Sequence, residues 1–147
     1  MNTQTNSQID QLEKYSFIWS LARLFIAALA LFLGGIPPIW KITPYSLMGI
    51  VSPLLTICWL ISGLASAYLI YRWYQKKQTI FGGKKQLDLI AFFIMIITGF
   101  NLGLAGLLRT NIGMNISSNK IVFVVTGIIY LITAIYLIKR WRETKQL

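Results

Sequence analysis

Four stretches of this chain lack the polar punctuation that an element facing water needs. Apolar residues dominate at about 16–35, 47–71, 87–108 and 121–138, with polar and turn-forming residues gathered between them. As a helix, each stretch is long enough to cross a hydrocarbon layer roughly 30 Å thick, which takes about 20 residues. Helix is the expected conformation, because lipid offers the backbone no partner and a helix satisfies its own amides. A membrane barrel would show short alternating segments instead. The pattern therefore predicts an all-α polytopic membrane protein, with four transmembrane helices in two hairpins.

The breaks set the boundaries. Gly34-Gly35-Ile36-Pro37-Pro38 stops the first span, since proline lacks an amide N–H and restricts the residue before it. Pro53 falls in the first turns of the second span, where it does least harm. The hairpins cover 16–71 and 87–138, joined by a basic loop at 72–86 that turns at Gly82-Gly83. Residues 1–15, rich in Asn, Gln and Thr, read as a polar, poorly ordered tail, and 139–147 as a basic one. The first residues lack the basic start and small-residue cleavage site of a signal peptide.

Composition agrees with lipid as the solvent: 56% of residues are hydrophobic and 12% charged. The net charge of +10 is distributed unevenly. Lys14, Arg72, Lys76, Lys77, Lys84, Lys85, Lys139, Arg140, Arg142 and Lys145 flank the spans on one side, against Lys41, Arg109 and Lys120 on the other. Lys and Arg near span ends resist translocation, so both termini are expected in the cytoplasm. The expected location is a bacterial plasma membrane or a thylakoid membrane. Topology accounts for the positive charge without a nucleic-acid partner. The expected partners are the bilayer with its anionic lipids, and further copies of the chain or subunits of another membrane complex. Tyr15, Trp19, Trp40, Tyr45, Tyr71, Trp73, Tyr74 and Trp141 sit where interfacial aromatic rings are expected.

A faint repeat runs through the pattern. Tyr68-Leu69-Ile70-Tyr71-Arg72-Trp73 reads against Tyr136-Leu137-Ile138-Lys139-Arg140-Trp141, and the same shift sets Lys77 on Lys145 and Gly35 on Gly103. Two tandem hairpins of one orientation would be related by an axis along the membrane normal. The alternative is that Tyr, Arg and Trp collect at any helix end on that face.

The second hairpin carries a family resemblance. Leu87-Asp88-Leu89-Ile90-Ala91, followed by Thr98-Gly99-Phe100-Asn101-Leu102-Gly103-Leu104-Ala105-Gly106-Leu107, resembles a small bacterial membrane family known as domain of unknown function 378. Its members are two-span proteins, with an aspartate opening the first helix and an Asn-Trp-Gly-Leu-Val-Gly-Leu type signature ending it. The likeness covers 87–138, departs at Leu102 where the family usually has Trp, and leaves the first two spans uncovered. It implies a helical hairpin and no chemistry.

Candidate functional residues follow from polar and small side chains inside the spans. Gly99 and Gly103, four apart, share a face of span three with Gly106 nearby, and admit another backbone at close range. Asn101 between them needs a polar partner. Ser62, Gly63, Ser66 and Ala67 form a comparable ridge on span two, so these two spans are expected to pair. The cluster reads either as a helix seam with Asn101 as polar glue, or as a pore lining or substrate-contacting kink. Arg23 lies about seven residues, roughly 10 Å, into span one. It would either snorkel to the interface, with Asp88 as a possible partner, or form an ion or anion site. Arg72, Lys76, Lys77, Lys84 and Lys85 surround an apolar tip, Ile80-Phe81, which suits contact with anionic lipid headgroups or a cytoplasmic partner, or merely fixes topology.

Much chemistry has no residues to perform it. Histidine is absent and Cys58 is the single cysteine. No lysine or mid-membrane carboxylate lies within a span, and no Gly-rich phosphate loop is present. Neither catalysis, a metal nor a cofactor is therefore expected. The reading is a small accessory or structural membrane protein (assembly factor, scaffold or subunit) associating through its small-residue seams. The alternative is an oligomeric channel or carrier for a small ion or solute.

Overall fold

The computed structural model describes residues 2–117 and 119–144, with side chains from residue 8 onward. Helix α1 (Asn2–Phe32) is one unbroken rod. The segment expected to be a poorly ordered tail is thus its first turns. Glu13 explains why: it is buried, and Arg72 and Lys76 from the next long helix grip its carboxylate. The rod ends on glycine. Gly34 and Gly35 take φ +76° and +85°, and Gly35 N–H closes back on Ala30 O at 2.8 Å, a left-handed helix cap. The prolines beyond start structure, with Pro38 as the first residue of α2 (Pro38–Ile42).

A 3₁₀ turn (Tyr45–Leu47) leads into α3 (Met48–Gln75), which stays continuous through Pro53. After α3 the chain makes a minimal hairpin, with Ile80 and Gly83 exchanging both backbone hydrogen bonds (2.9 and 3.0 Å). Phe81 and Gly82 at its tip take positive φ, as a two-residue hairpin turn requires. Then come α4 (Gln86–Leu108), α5 (Ile112–Ile116) and α6 (Lys120–Thr144). Four segments, Gln8–Phe32, Tyr45–Gln75, Gln86–Leu108 and Lys120–Thr144, are long and apolar enough to cross a membrane. The chain is an all-α, multi-pass membrane protein. Lys145, used both in the charge pattern and in the repeat, lies outside the described residues, as does Met1.

The four long helices form a ring in the order α1, α3, α4, α6. The broadest interfaces join helices of different hairpins, α3 with α4 and α1 with α6, while each hairpin's own pair meets less extensively. At the α3–α4 seam, Gly63 and Gly103 stand backbone to backbone. A Cβ on Gly103 would come within 2.7 Å of Gly63 Cα. Gly106 receives Leu60 on the same seam. The α1–α6 seam uses Gly127, where a Cβ would meet the Phe32 ring at 2.9 Å and Ala28 O at 3.3 Å. Phe17, Leu24, Met95, Ile96 and Leu137 fill the centre, all fully buried.

This ring has the contacts that a two-fold axis along the bundle would generate. Such an axis exchanges α1 with α4 and α3 with α6, and so exchanges the two broad seams. Leu69 and Leu137, matched by the repeat, are both buried, and their neighbours Trp73 and Trp141 pack on Phe93 of α4 and Phe17 of α1 respectively. Those two indoles therefore belong partly to the core and not simply to an interfacial belt.

Because Gly103 abuts backbone, Gly103→Leu must force α3 and α4 apart. Melting of the helical circular dichroism in detergent should report a loss of about 1–3 kcal/mol. Gly49→Ala, at a position open to its surroundings, should leave the transition in place.

Candidate functional site

Among the described residues, one polar centre lies deep in the bundle and two ion-paired ones lie at the end where α1 starts and α6 finishes. The deep centre is Arg23. By helix rise it lies about 22 Å from Gln8 and about 14 Å from Phe32, so it is near the middle of its span. It is 4% exposed and does not snorkel. Its Nη1 donates to Ser62 O (3.2 Å) and Ser66 Oγ (3.0 Å), and its Nη2 donates to Met95 O (2.6 Å). One side chain thus joins α1 to both α3 and α4.

Gly99 makes room for it. A Cβ at Gly99 would collide with Arg23 Nη1 and Ser66 Oγ. Around the guanidinium, Ser62 Oγ donates to Cys58 O at 2.7 Å and accepts from the Trp19 indole N–H at 3.1 Å. Ser62, Ser66 and Ser20 are fully buried. Ser20 Oγ and Arg23 Nε have no hydrogen-bond partner among the described residues.

Asp88 does not pair with Arg23. It is 0% exposed, and Arg140 of α6 binds it with a two-pronged grip, Nε to Oδ1 and Nη2 to Oδ2, both at 2.8 Å. Tyr136 O–H donates to Oδ1 at 2.6 Å. Arg140 also reaches Glu143 at 3.1 Å and lies 5.8 Å from the centre of the Phe81 ring. The matching clamp on the first hairpin is Glu13, with Arg72 Nε at 2.9 Å and Lys76 Nζ at 2.7 Å. Each hairpin is therefore locked at the same end by an arginine from its second helix and a buried carboxylate from its first.

The other sequence candidates fall into place around these centres. Ser62, Gly63 and Ser66 meet Gly99, Gly103 and Gly106 as one seam, whereas Ala67 points outward and is exposed. Asn101 is not part of that seam. Two residues from either glycine, it faces away from them, donates to Asn111 Oδ1 (2.9 Å) and accepts from Gly113 N–H (3.3 Å). Its partners are in the α5 loop, not on a neighbouring span. In the basic loop, Lys77, Lys84 and Lys85 are exposed, while Arg72 and Lys76 are engaged by Glu13. The expected apolar tip is turned inward. Ile80 and Phe81 are buried, and Phe81 meets Phe17 edge to face at 5.9 Å. Among the described residues, no group of three or more potential ligand side chains is placed to hold a metal.

The fold and these centres define a small four-helix integral membrane protein with an interior arginine. Compared with known proteins, the chain matches no family model, no curated protein and no solved structure.

Two measurements test the local geometry. Asp88→Ala removes the two-pronged partner of Arg140, which keeps only Glu143, and equilibrium unfolding in mild detergent should show a clear loss of stability. Asp88→Leu combined with Arg140→Met should recover most of that loss, since a matched apolar pair removes both charges. Asn101→Ala frees the α5 loop. Hydrogen exchange at 110–116 should speed up markedly, with a global loss of only about 1 kcal/mol.

Proposed function

We propose that this chain is an accessory or structural subunit that works against other membrane-embedded proteins, with its termini and basic loop in the cytoplasm. The observation that carries this reading is the lopsided burial of α3. Only Ser62, Ala65, Ser66 and Leu69 of that long helix are buried, and Ile50, Leu54, Ile57, Ile61 and Leu64 form an exposed outer face. A broad apolar helix face within the bilayer suits lateral contact with another helix. The small-residue seams are occupied inside the monomer, so association would use this outer face and not the glycines.

The orientation is supported by the position of the exposed cations. Lys77, Lys84, Lys85, Lys139 and Arg142 are exposed at the end that carries both termini. Lys84 and Lys85 border a cleft of about 110 Å³ next to Trp73 and Ile80, which gives anionic headgroups a place to rest. The likeness of 87–138 to domain of unknown function 378 belongs to the same proposal: it agrees with a paired α4–α6 hairpin and assigns no chemistry.

A second reading, an oligomeric channel or carrier for a small ion, is favoured by one observation, the charged Arg23 at mid-span. Met95, Ile96, Leu24 and Leu137 fill the bundle centre, so a pathway would have to run between copies. Native mass spectrometry after gentle extraction separates the two. Stoichiometric co-purification with different membrane chains is the expected result. A discrete homo-oligomer free of other chains would reject the accessory reading and favour flux.

A further inference from the structure

Arg23 is a permanent cation without a carboxylate. The chain has four acidic residues, and each is engaged elsewhere or at the far end: Glu13 and Asp10 with Arg72, Asp88 with Arg140, and Glu143 with Arg140 and Lys139. Arginine keeps its proton in proteins, so the charge is not relieved by titration. The three acceptors that Arg23 has are two backbone carbonyls and one hydroxyl, all neutral. Two further donors are fully buried and have no partner among the described residues, Arg23 Nε–H and Ser20 Oγ–H. They are three residues apart in α1 and so share a face of the helix.

We propose that the Arg23 centre binds one small monovalent anion of the halide class, with Arg23 Nε and Ser20 Oγ as its donors. The charge of the ligand follows from the charge of the site. One buried positive charge calls for one negative charge, and a divalent anion would leave the same interior with an uncompensated negative. The size follows from the packing. Gly99, Ser66, Ser62 and Met95 close off the Nη1 and Nη2 side of the guanidinium, which leaves its Nε side, next to Ser20, for a small ligand. Hydroxyl and guanidinium N–H donors are the groups that solvate chloride or bromide once water is removed. The proposal concerns Arg23 and its neighbours alone, and holds whether the chain acts within a larger assembly or as an oligomer of its own.

The test is thermal unfolding of the full chain in a neutral detergent, at constant ionic strength, with chloride replaced stepwise by gluconate or sulfate. The expected result is a saturable rise in Tm with chloride, about 5 °C or more at saturation, reproduced by bromide and not by sulfate. Ser20→Ala removes only an unpartnered hydroxyl, so it should fold and require roughly tenfold more chloride for the same shift. Arg23→Gln should abolish the dependence. Should Arg23→Gln fail to fold, Ser20→Ala and bromide anomalous scattering from the wild-type protein decide the matter. A bromide peak beside Arg23 is the expected outcome. Equal stability in chloride and gluconate, an unchanged chloride response in Ser20→Ala, or a halide located only at the basic loop would each overturn the proposal.

Discussion

Arg23 donates its N–H groups to Ser62 O, Ser66 Oγ and Met95 O, and the apolar surroundings make such partners compulsory. The rest of the bundle has to be arranged so that those acceptors are within reach. Backbone carbonyls of a helix lie beneath a sheath of side chains, and a guanidinium reaches them only where the sheath is thin. Gly99 and Ser66 provide that thin place, and the Gly63–Gly103 contact next to it lets α3 and α4 close up around the side chain. Glycine in a helix ordinarily weakens it by about 1 kcal/mol relative to alanine. Here that loss is offset by the hydrogen bonds of Arg23, which a larger residue at 99 would break by colliding with the guanidinium and Ser66 Oγ.

The spans were legible because they depend on a property summed over twenty residues, the absence of polar groups, which no tertiary contact reverses. The α3–α4 pairing was legible for a related reason, since small residues four apart on two helices have few other uses in lipid. Partners were a different matter. Asp88 was assigned to Arg23 by its depth from the nearest span end, but α1 begins well before its apolar run, and the register between α1 and α4 places Arg23 opposite Met95 and Gly99, two turns or more beyond Asp88. That register is fixed by packing and leaves no mark in either sequence alone. The first turns of α1 were misread for the same reason. A Glu among Asn and Gln reads as solvated until Arg72 and Lys76, about sixty positions away, are brought to it. Phe81 had a readable signal that went unused: Ile80-Phe81-Gly82-Gly83 can form a two-residue turn, and such a turn reverses the chain and returns the ring to the core.

The tandem likeness between the hairpins takes on physical content at the arginines. Arg72 and Arg140, matched in sequence, do the same work on different acids, Glu13 and Asp88, which are not matched. The same helix end thus needs an anchor in both halves, and the carboxylate that supplies it comes from whichever interior position of the partner helix falls opposite. The halves differ most at the deep centre. Arg23 corresponds by the same shift to Ala91, a buried residue in the core, so only one half carries the interior charge. The charge lies beside one seam, α3 with α4, while the other seam carries the close approach of Gly127 to the Phe32 ring and Ala28 O.

That asymmetry bears on how the molecule meets its neighbours. Ser20, Arg23, Ser62, Ser66, Asp88, Thr98 and Thr133 are buried within the bundle, and Gly63, Gly99, Gly103, Gly106 and Gly127 are filled by the chain's own helices. What remains outside is a surface of branched aliphatic side chains, broadest on α3, with cations exposed at the end bearing the termini. Van der Waals packing between such surfaces competes with lipid on nearly equal terms, so it selects partners weakly. Specificity in any assembly this chain joins therefore has to come from its ends, where the exposed lysines flank the Ile80–Gly83 hairpin and α5 is tethered by Asn101. The two ends are built differently, one clamped by ion pairs, the other carrying fewer cations (Lys41, Arg109 and Lys120) and held by amide hydrogen bonds. A partner that reads both ends fixes the chain's orientation as well as its position.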